Sequence, residues 1–148
     1  MEQRRQSRAD RRRRNDQPAE LDRRRGLPLE VRCLSQMVGN ELVIFVQDPI
    51  GADNCASARQ NMLSHIERHA NVPVVVDLQK CTYIDTSGLT VLVELKKELA
   101  KQGRSLVLQN PSRPVLRMLN ITLLNRVFPV RITTREEDRI PTSQTEKR

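Results

Sequence analysis

At 148 residues, with 37% hydrophobic and 30% charged side chains and no tryptophan, the chain has the length of one ordinary domain and an almost purely aliphatic core. That aromatic scarcity argues against functions built on base stacking, and the longest apolar run, around Val74, Val75 and Val76, falls far short of the roughly 20 residues a membrane-spanning helix requires. The formal charge of +8 is unevenly placed, because residues 1–25 hold ten arginines against five acids, a net of +5.

Residues 1–26 carry only Met1, Ala9, Ala19 and Leu21 as apolar side chains, too few to repay the entropy of ordering, so a disordered Arg-rich tail is predicted. No apolar stretch follows the basic residues after Met1, unlike a secretory signal, which predicts a cytoplasmic protein. The arginines alternate with acids and no aromatic interleaves them. A solvated tail is therefore expected, rather than a nucleic-acid or anionic-lipid site.

Residues 29–34 place Leu29, Val31 and Cys33 on one face, and residues 42–46 form an apolar run preceded by Gly39-Asn40; together they predict an opening hairpin. Over residues 52–70, Cys55, Ala58, Met62 and Ile66 recur at helical spacing. Pro73 then introduces residues 74–78, β-branched and apolar on both faces, as a central strand. Residues 88–102 repeat apolar side chains at Leu89, Leu92, Val93, Leu95 and Leu99, with Lys101 in the last turn and Gly103 just past it, the signature of a second helix. A strand over 105–109, a short helix over 111–120 opened by Asn110 and Pro111, and an extended piece over 127–132 follow. A polar tail is expected over 134–148. The order β-β-α-β-α-β-α-β predicts an α/β fold: a mixed, largely parallel sheet opened by an antiparallel hairpin, with helices packed against it.

Few residue patterns point to catalysis. Cys33, Cys55 and Cys81 are odd in number and widely spaced, as expected of small buried hydrophobes in a reducing compartment. His65 and His69 share a helical face, but Glu does not follow the first and no third ligand is evident, so no metal is expected. No GxxxxGK[ST] loop or GxSxG elbow is present, and the two histidines offer little to a Ser-His-Asp triad. Neither enzymatic activity, a cofactor nor a small-molecule substrate is expected.

One segment has chemical promise. Asp85-Thr86-Ser87-Gly88 stands between a strand-loop unit and the first turn of a helix, where unpaired N–H groups and the helix dipole favour an anion. Asp85 or Ser87 is positioned to cap the helix, and Gly88 would let another molecule approach its backbone. An ordinary N-cap accounts for the same composition.

The stretch 74–130 resembles the STAS family of anti-sigma factor antagonists. It has a strand ending in Asp77-Leu78, the turn Ile84-Asp85-Thr86-Ser87-Gly88-Leu89, a helix ending before Gly103, the strand SLVLQNPS, and the segment VLRMLNITLLNRVFPV. The resemblance extends at fold level back to about Leu27, implying a STAS domain over 27–133. It implies that a kinase, itself an anti-sigma factor, phosphorylates Ser87, and that the unmodified chain binds this kinase and frees the sigma factor for transcription. Asp85 would orient the loop, with Thr86, Ser87 and Gly88 in the binding surface; a phosphatase is a further possible partner. The chain departs from the family at residues 47–54, where a Gly-Glu-Ile/Leu-Asp turn is usual and Gln47-Asp48-Pro49-Ile50-Gly51-Ala52-Asp53-Asn54 stands here. Asp53 is the candidate for the family's acidic contact. The other implied role is that of a scaffold subunit in a stress-signalling or membrane-transport assembly.

Overall fold

The computed structural model describes residues 27–133; both predicted tails lie outside the described residues. The hairpin comprises β1 (Cys33–Val38) and β2 (Glu41–Val46), joined by Gly39-Asn40. Gly39 takes φ +62° at the first turn position, a left-handed conformation that suits a tight two-residue turn. Next come α1 (Cys55–Glu67), β3 (Val74–Asp77), α2 (Thr86–Lys101), β4 (Leu106–Gln109) and α3 (Arg113–Ile121), then a 3₁₀ turn (Leu124–Arg126) and β5 (Val130–Arg131). The sheet order is β1-β2-β3-β4-β5, antiparallel in the first pair and parallel in the rest. The predicted order and mixed sheet are both present.

Strand alternation divides the apolar residues between two faces. Leu42, Ile44, Val46, Val74, Val76, Leu106 and Leu108 join the main core with Ala58, Met62 and Ile66 of α1, Leu92, Leu95 and Leu99 of α2, and Val115 and Leu119 of α3. Val43, Phe45 and Val75 form a smaller cluster by themselves. Because β3 is central, all four of its residues are buried.

The first strand begins later than predicted. Residues 29–32 lead into it outside the strand, with only the Arg32 carbonyl accepting across the hairpin, from the Gln47 N–H at 2.9 Å: Leu29 is 81% exposed while Val31 is fully buried. Side chains of α1 satisfy the Val31 backbone, with Val31 N–H donating to Ser57 Oγ (3.0 Å) and Asn61 Nδ2 donating to Val31 O (2.6 Å). A bidentate ion pair, Arg32 with Asp48, then joins the lead-in to the segment after β2. At the far end of α2, Gly103 adopts φ +71°, its N–H bonding Ala100 O and the Arg104 N–H bonding Leu99 O, which closes the helix in a Schellman motif.

Candidate functional site

The turn before α2 is assembled from two loops at the C-terminal ends of parallel strands. Ile50 and Ile84 form an isolated parallel bridge, in which Ile50 N–H donates to Tyr83 O (3.0 Å) and Asp85 N–H donates to Ile50 O (3.3 Å). The loop after β2 and the loop after β3 are thereby locked side by side. Asp85 then takes extended backbone angles (φ −113°, ψ −171°) and caps α2, its Oδ1 accepting the Gly88 N–H at 3.1 Å. Of the two residues expected to cap, Asp85 does so. Its second oxygen, Oδ2, accepts the Ala52 N–H at 3.1 Å.

Ser87 consequently sits at the second helical position, half-buried, and its hydroxyl has no hydrogen-bond partner among the described residues. Thr86 beside it is exposed, and its carbonyl accepts from Thr90 Oγ1 (2.8 Å). The first-turn N–H groups of Thr86 and Ser87 have no intrahelical acceptor, so the partial positive charge of the helix start lies next to the Ser87 hydroxyl. Asp53 is exposed in the facing turn, one residue after Ala52. The structure thus brings together Asp85, Thr86, Ser87, Gly88 and the Asp53 turn, drawn from segments more than 30 residues apart.

Gly88 has another explanation than the one expected from the sequence. It is buried, and a Cβ there would lie 2.5 Å from Ile84 Cγ1 and 3.0 Å from Ile50 Cγ2. The space that a side chain would need is filled from within, by the bridge isoleucines. Gly88 therefore permits α2 to start against its own core rather than opening backbone to another molecule.

Asn54 was not singled out in the sequence, although it organises the facing turn. It is almost wholly buried, its Oδ1 accepts the Gly51 N–H (2.8 Å), and its Nδ2 donates to Pro28 O (2.8 Å) and Pro49 O (3.0 Å). An Asn directly before the helical periodicity of α1 was the available signal. Asp48 anchors the same turn: its Oδ2 accepts from Arg32 N–H (2.8 Å) and Nε (3.0 Å), and these bonds hold its carboxyl below the usual carboxylate range.

Asp77, at the end of β3, is fully buried, and burial pushes its carboxyl above the ordinary carboxylate value although Gln109 Nε2 (3.0 Å), Asn110 Nδ2 (3.2 Å) and Gln79 N–H (3.0 Å) donate to it. This cluster ties β3 to β4 and the following loop. Only Cys81 of the three cysteines is buried; Cys33 and Cys55 are partly exposed. His65 Nδ1 contacts Ser35 Oγ (2.7 Å), and His69 Nδ1 contacts the His65 carbonyl (3.2 Å). Among the described residues no group of three or more His, Cys, Asp or Glu could hold a metal ion, and no helix is long and apolar enough to cross a membrane. A groove of about 400 Å³ between α1 and α2, floored by Leu63, Ile66, Leu95 and Leu99, includes none of residues 85–88.

The profile of the STAS domain family matches residues 33–138. The chain belongs to the STAS family. It is similar to the anti-sigma-B factor antagonist of Bacillus subtilis, 28% identical over 91 residues that cover 62% of this chain and 82% of that protein. It is also similar to sulfate transporter 2.1 of Arabidopsis thaliana, 45% identical over 47 residues, 32% of this chain but 7% of the transporter. The chain thus spans a small fraction of the plant transporters it matches. Among solved structures, the anti-sigma factor antagonist SpoIIAA in its unphosphorylated form superposes with a TM-score of 0.58 at 20% identity, covering 72% of this chain and 91% of that one. These likenesses agree with the five-stranded mixed sheet described above.

Proposed function

We propose that this STAS domain is a cytoplasmic anti-sigma factor antagonist, a protein-binding switch that holds an anti-sigma kinase while Ser87 is unmodified and releases it once Ser87 is phosphorylated. The observation that carries this reading is Ser87 itself. It is half-buried at the second position of α2, unpartnered at its hydroxyl among the described residues, beside a turn fixed by both oxygens of Asp85. The likeness to the Bacillus anti-sigma-B factor antagonist supports the class of partner.

The chain is a substrate in this scheme, not a catalyst. Ser87 Oγ attacks the γ-phosphorus of ATP held by the kinase, ADP leaves with the bridging oxygen, and the hydroxyl proton passes to a base on the kinase. The phosphate adds about 1.5–2 negative charges at pH 7 where the helix start tolerates them, so the fold survives while a surface complementary to the neutral turn is blocked. Asp53 and Thr86, both exposed, complete the binding surface, and a phosphatase would restore it. Calorimetry with an ATP-binding anti-sigma kinase of the same cell tests the switch: the unmodified chain binds, and the phosphoserine-87 chain binds at least about tenfold more weakly. Equal affinities would refute it.

The matches to plant sulfate transporters favour a second reading, a STAS subunit working within a membrane-transport assembly without phosphorylation. Co-purification with transport subunits and an unphosphorylated Ser87 would select it.

A further inference from the structure

Residues 121–127, where the chain leaves α3, carry an apolar surface that the core does not use. Ile121 is 68% exposed, Leu123 54% and Val127 44%, whereas Leu119 and Phe128 on either side are buried and Leu124 packs against the core. Leu123 is unusual in its backbone as well. Among the described residues three non-glycine residues have left-handed φ: Asn71, Asn110 and Leu123, the last at +62°. Asparagine suits that conformation and a bulky leucine does not, and the outward side chain gains no burial that would favour it. Stability of the domain therefore does not account for leucine at this turn.

The charge beside this surface is of one sign. Arg117 lies one helical turn before Ile121, and Arg126 stands between Leu123 and Val127; both are exposed and neither enters an ion pair among the described residues. No Asp or Glu occurs in the sequence between Glu98 and Glu136. Protruding aliphatic tips flanked by unpaired arginines are complementary to an anionic lipid surface: the tips enter the boundary between headgroups and acyl chains, and the guanidinium groups meet phosphate. A second copy fits poorly, because a two-fold contact through the patch would gather the arginines of both copies with no acid from this segment to pair them. The groove between α1 and α2, where a partner helix could lie, includes none of these residues.

We propose that Ile121, Leu123 and Val127, with Arg117 and Arg126, form a peripheral docking surface for an anionic phospholipid membrane. The patch is separate from the Ser87 turn. Helix α3 begins beside the loop that leads to Asp85, where Ser112 Oγ donates to the Cys81 carbonyl. The patch stands at the other end of this nine-residue helix, about 13 Å further along. Lipid binding here does not depend on phosphorylation of Ser87.

Sedimentation of the full chain with vesicles tests the proposal, using phosphatidylcholine alone and phosphatidylcholine with about 30% phosphatidylserine. The chain is expected to pellet with the anionic vesicles, and I121S/L123N/V127S and R117Q/R126Q are each expected to partition at least about tenfold more weakly. Because the chain contains no tryptophan, I121W supplies a single reporter, whose emission is expected to shift to the blue on anionic vesicles. L123N alone, with a residue suited to the left-handed backbone, is expected to weaken binding without lowering the melting temperature. Unchanged emission from I121W would overturn the proposal. So would equal binding by I121S/L123N/V127S and the native sequence, which would assign the lipid to the basic residues 1–25. Absence of binding to anionic vesicles would overturn it in favour of an acidic protein partner. Self-association without lipid that I121S/L123N/V127S abolishes would overturn it in favour of a second copy.

Discussion

Asp85 Oδ2 accepts the N–H of Ala52, a residue 33 positions earlier, at 3.1 Å, while the other oxygen of the same carboxylate caps α2 through Gly88. One side chain therefore sets both the start of the helix that carries Ser87 and the position of the Asp53 turn facing it. Asp85→Ala removes the cap and the brace together, with an expected loss of roughly 1–2 kcal/mol. Chemical denaturation measures it. Asp85→Asn, which keeps one acceptor oxygen for the cap and gives up the bond to Ala52, is expected to lose less.

Gly88 gives a prediction whose sign opposes helix propensity. Alanine is the better helix former by about 1 kcal/mol, yet its Cβ would press on Ile84 Cγ1 at 2.5 Å and on Ile50. Overpacking of this kind costs roughly 1–3 kcal/mol, so Gly88→Ala is expected to lower the midpoint of urea unfolding. A rise in that midpoint would mean the bridge isoleucines yield freely.

The acid limb of the stability curve should report Asp48. Its folded-state pKa is depressed by Arg32, so its contribution is complete above the unfolded carboxylate value of about 3.9 and is lost as the pH falls through the lower, folded value. Asp48→Asn is expected to cost about 1–3 kcal/mol near neutrality, and the gap to the native chain closes below about pH 4. Asp77 works in the opposite sense: its raised pKa means its contribution declines as the pH rises from the unfolded value through the folded one. Denaturant titrations across this range separate the two.

Thiol labelling should distinguish the cysteines. Burial pushes Cys33 and Cys81 up to about 12, so at pH 8 their thiolate fractions are minute. Peptide mapping after brief alkylation is expected to find Cys55 labelled first. Partly exposed Cys33 is expected to follow slowly, and buried Cys81 only when denaturant opens the core.

The order of strands and helices was legible because each element carries its own period: alternation or a short β-branched run in the strands, and 3.6-residue recurrence through Ala58, Met62 and Ile66 or Leu92, Leu95 and Leu99. The start of β1 was not legible, since Leu29 and Val31 alternate like a strand while the Val31 backbone is satisfied by Ser57 and Asn61 from another element. At the candidate site, the capping role of Asp85 could be read locally as one of two choices. The bond to Ala52, the buried Asn54 and the inward use of Gly88 are tertiary relationships, and no spacing along the chain announces them.

The proposed switch depends most directly on the hydroxyl of Ser87. Incubation of the chain with the anti-sigma kinase of its own cell and ATP, followed by peptide mass spectrometry, is expected to find a single phosphate on Ser87 and none on Ser87→Ala. A phosphate on Thr86, or modification that persists unchanged in Ser87→Ala, would contradict it.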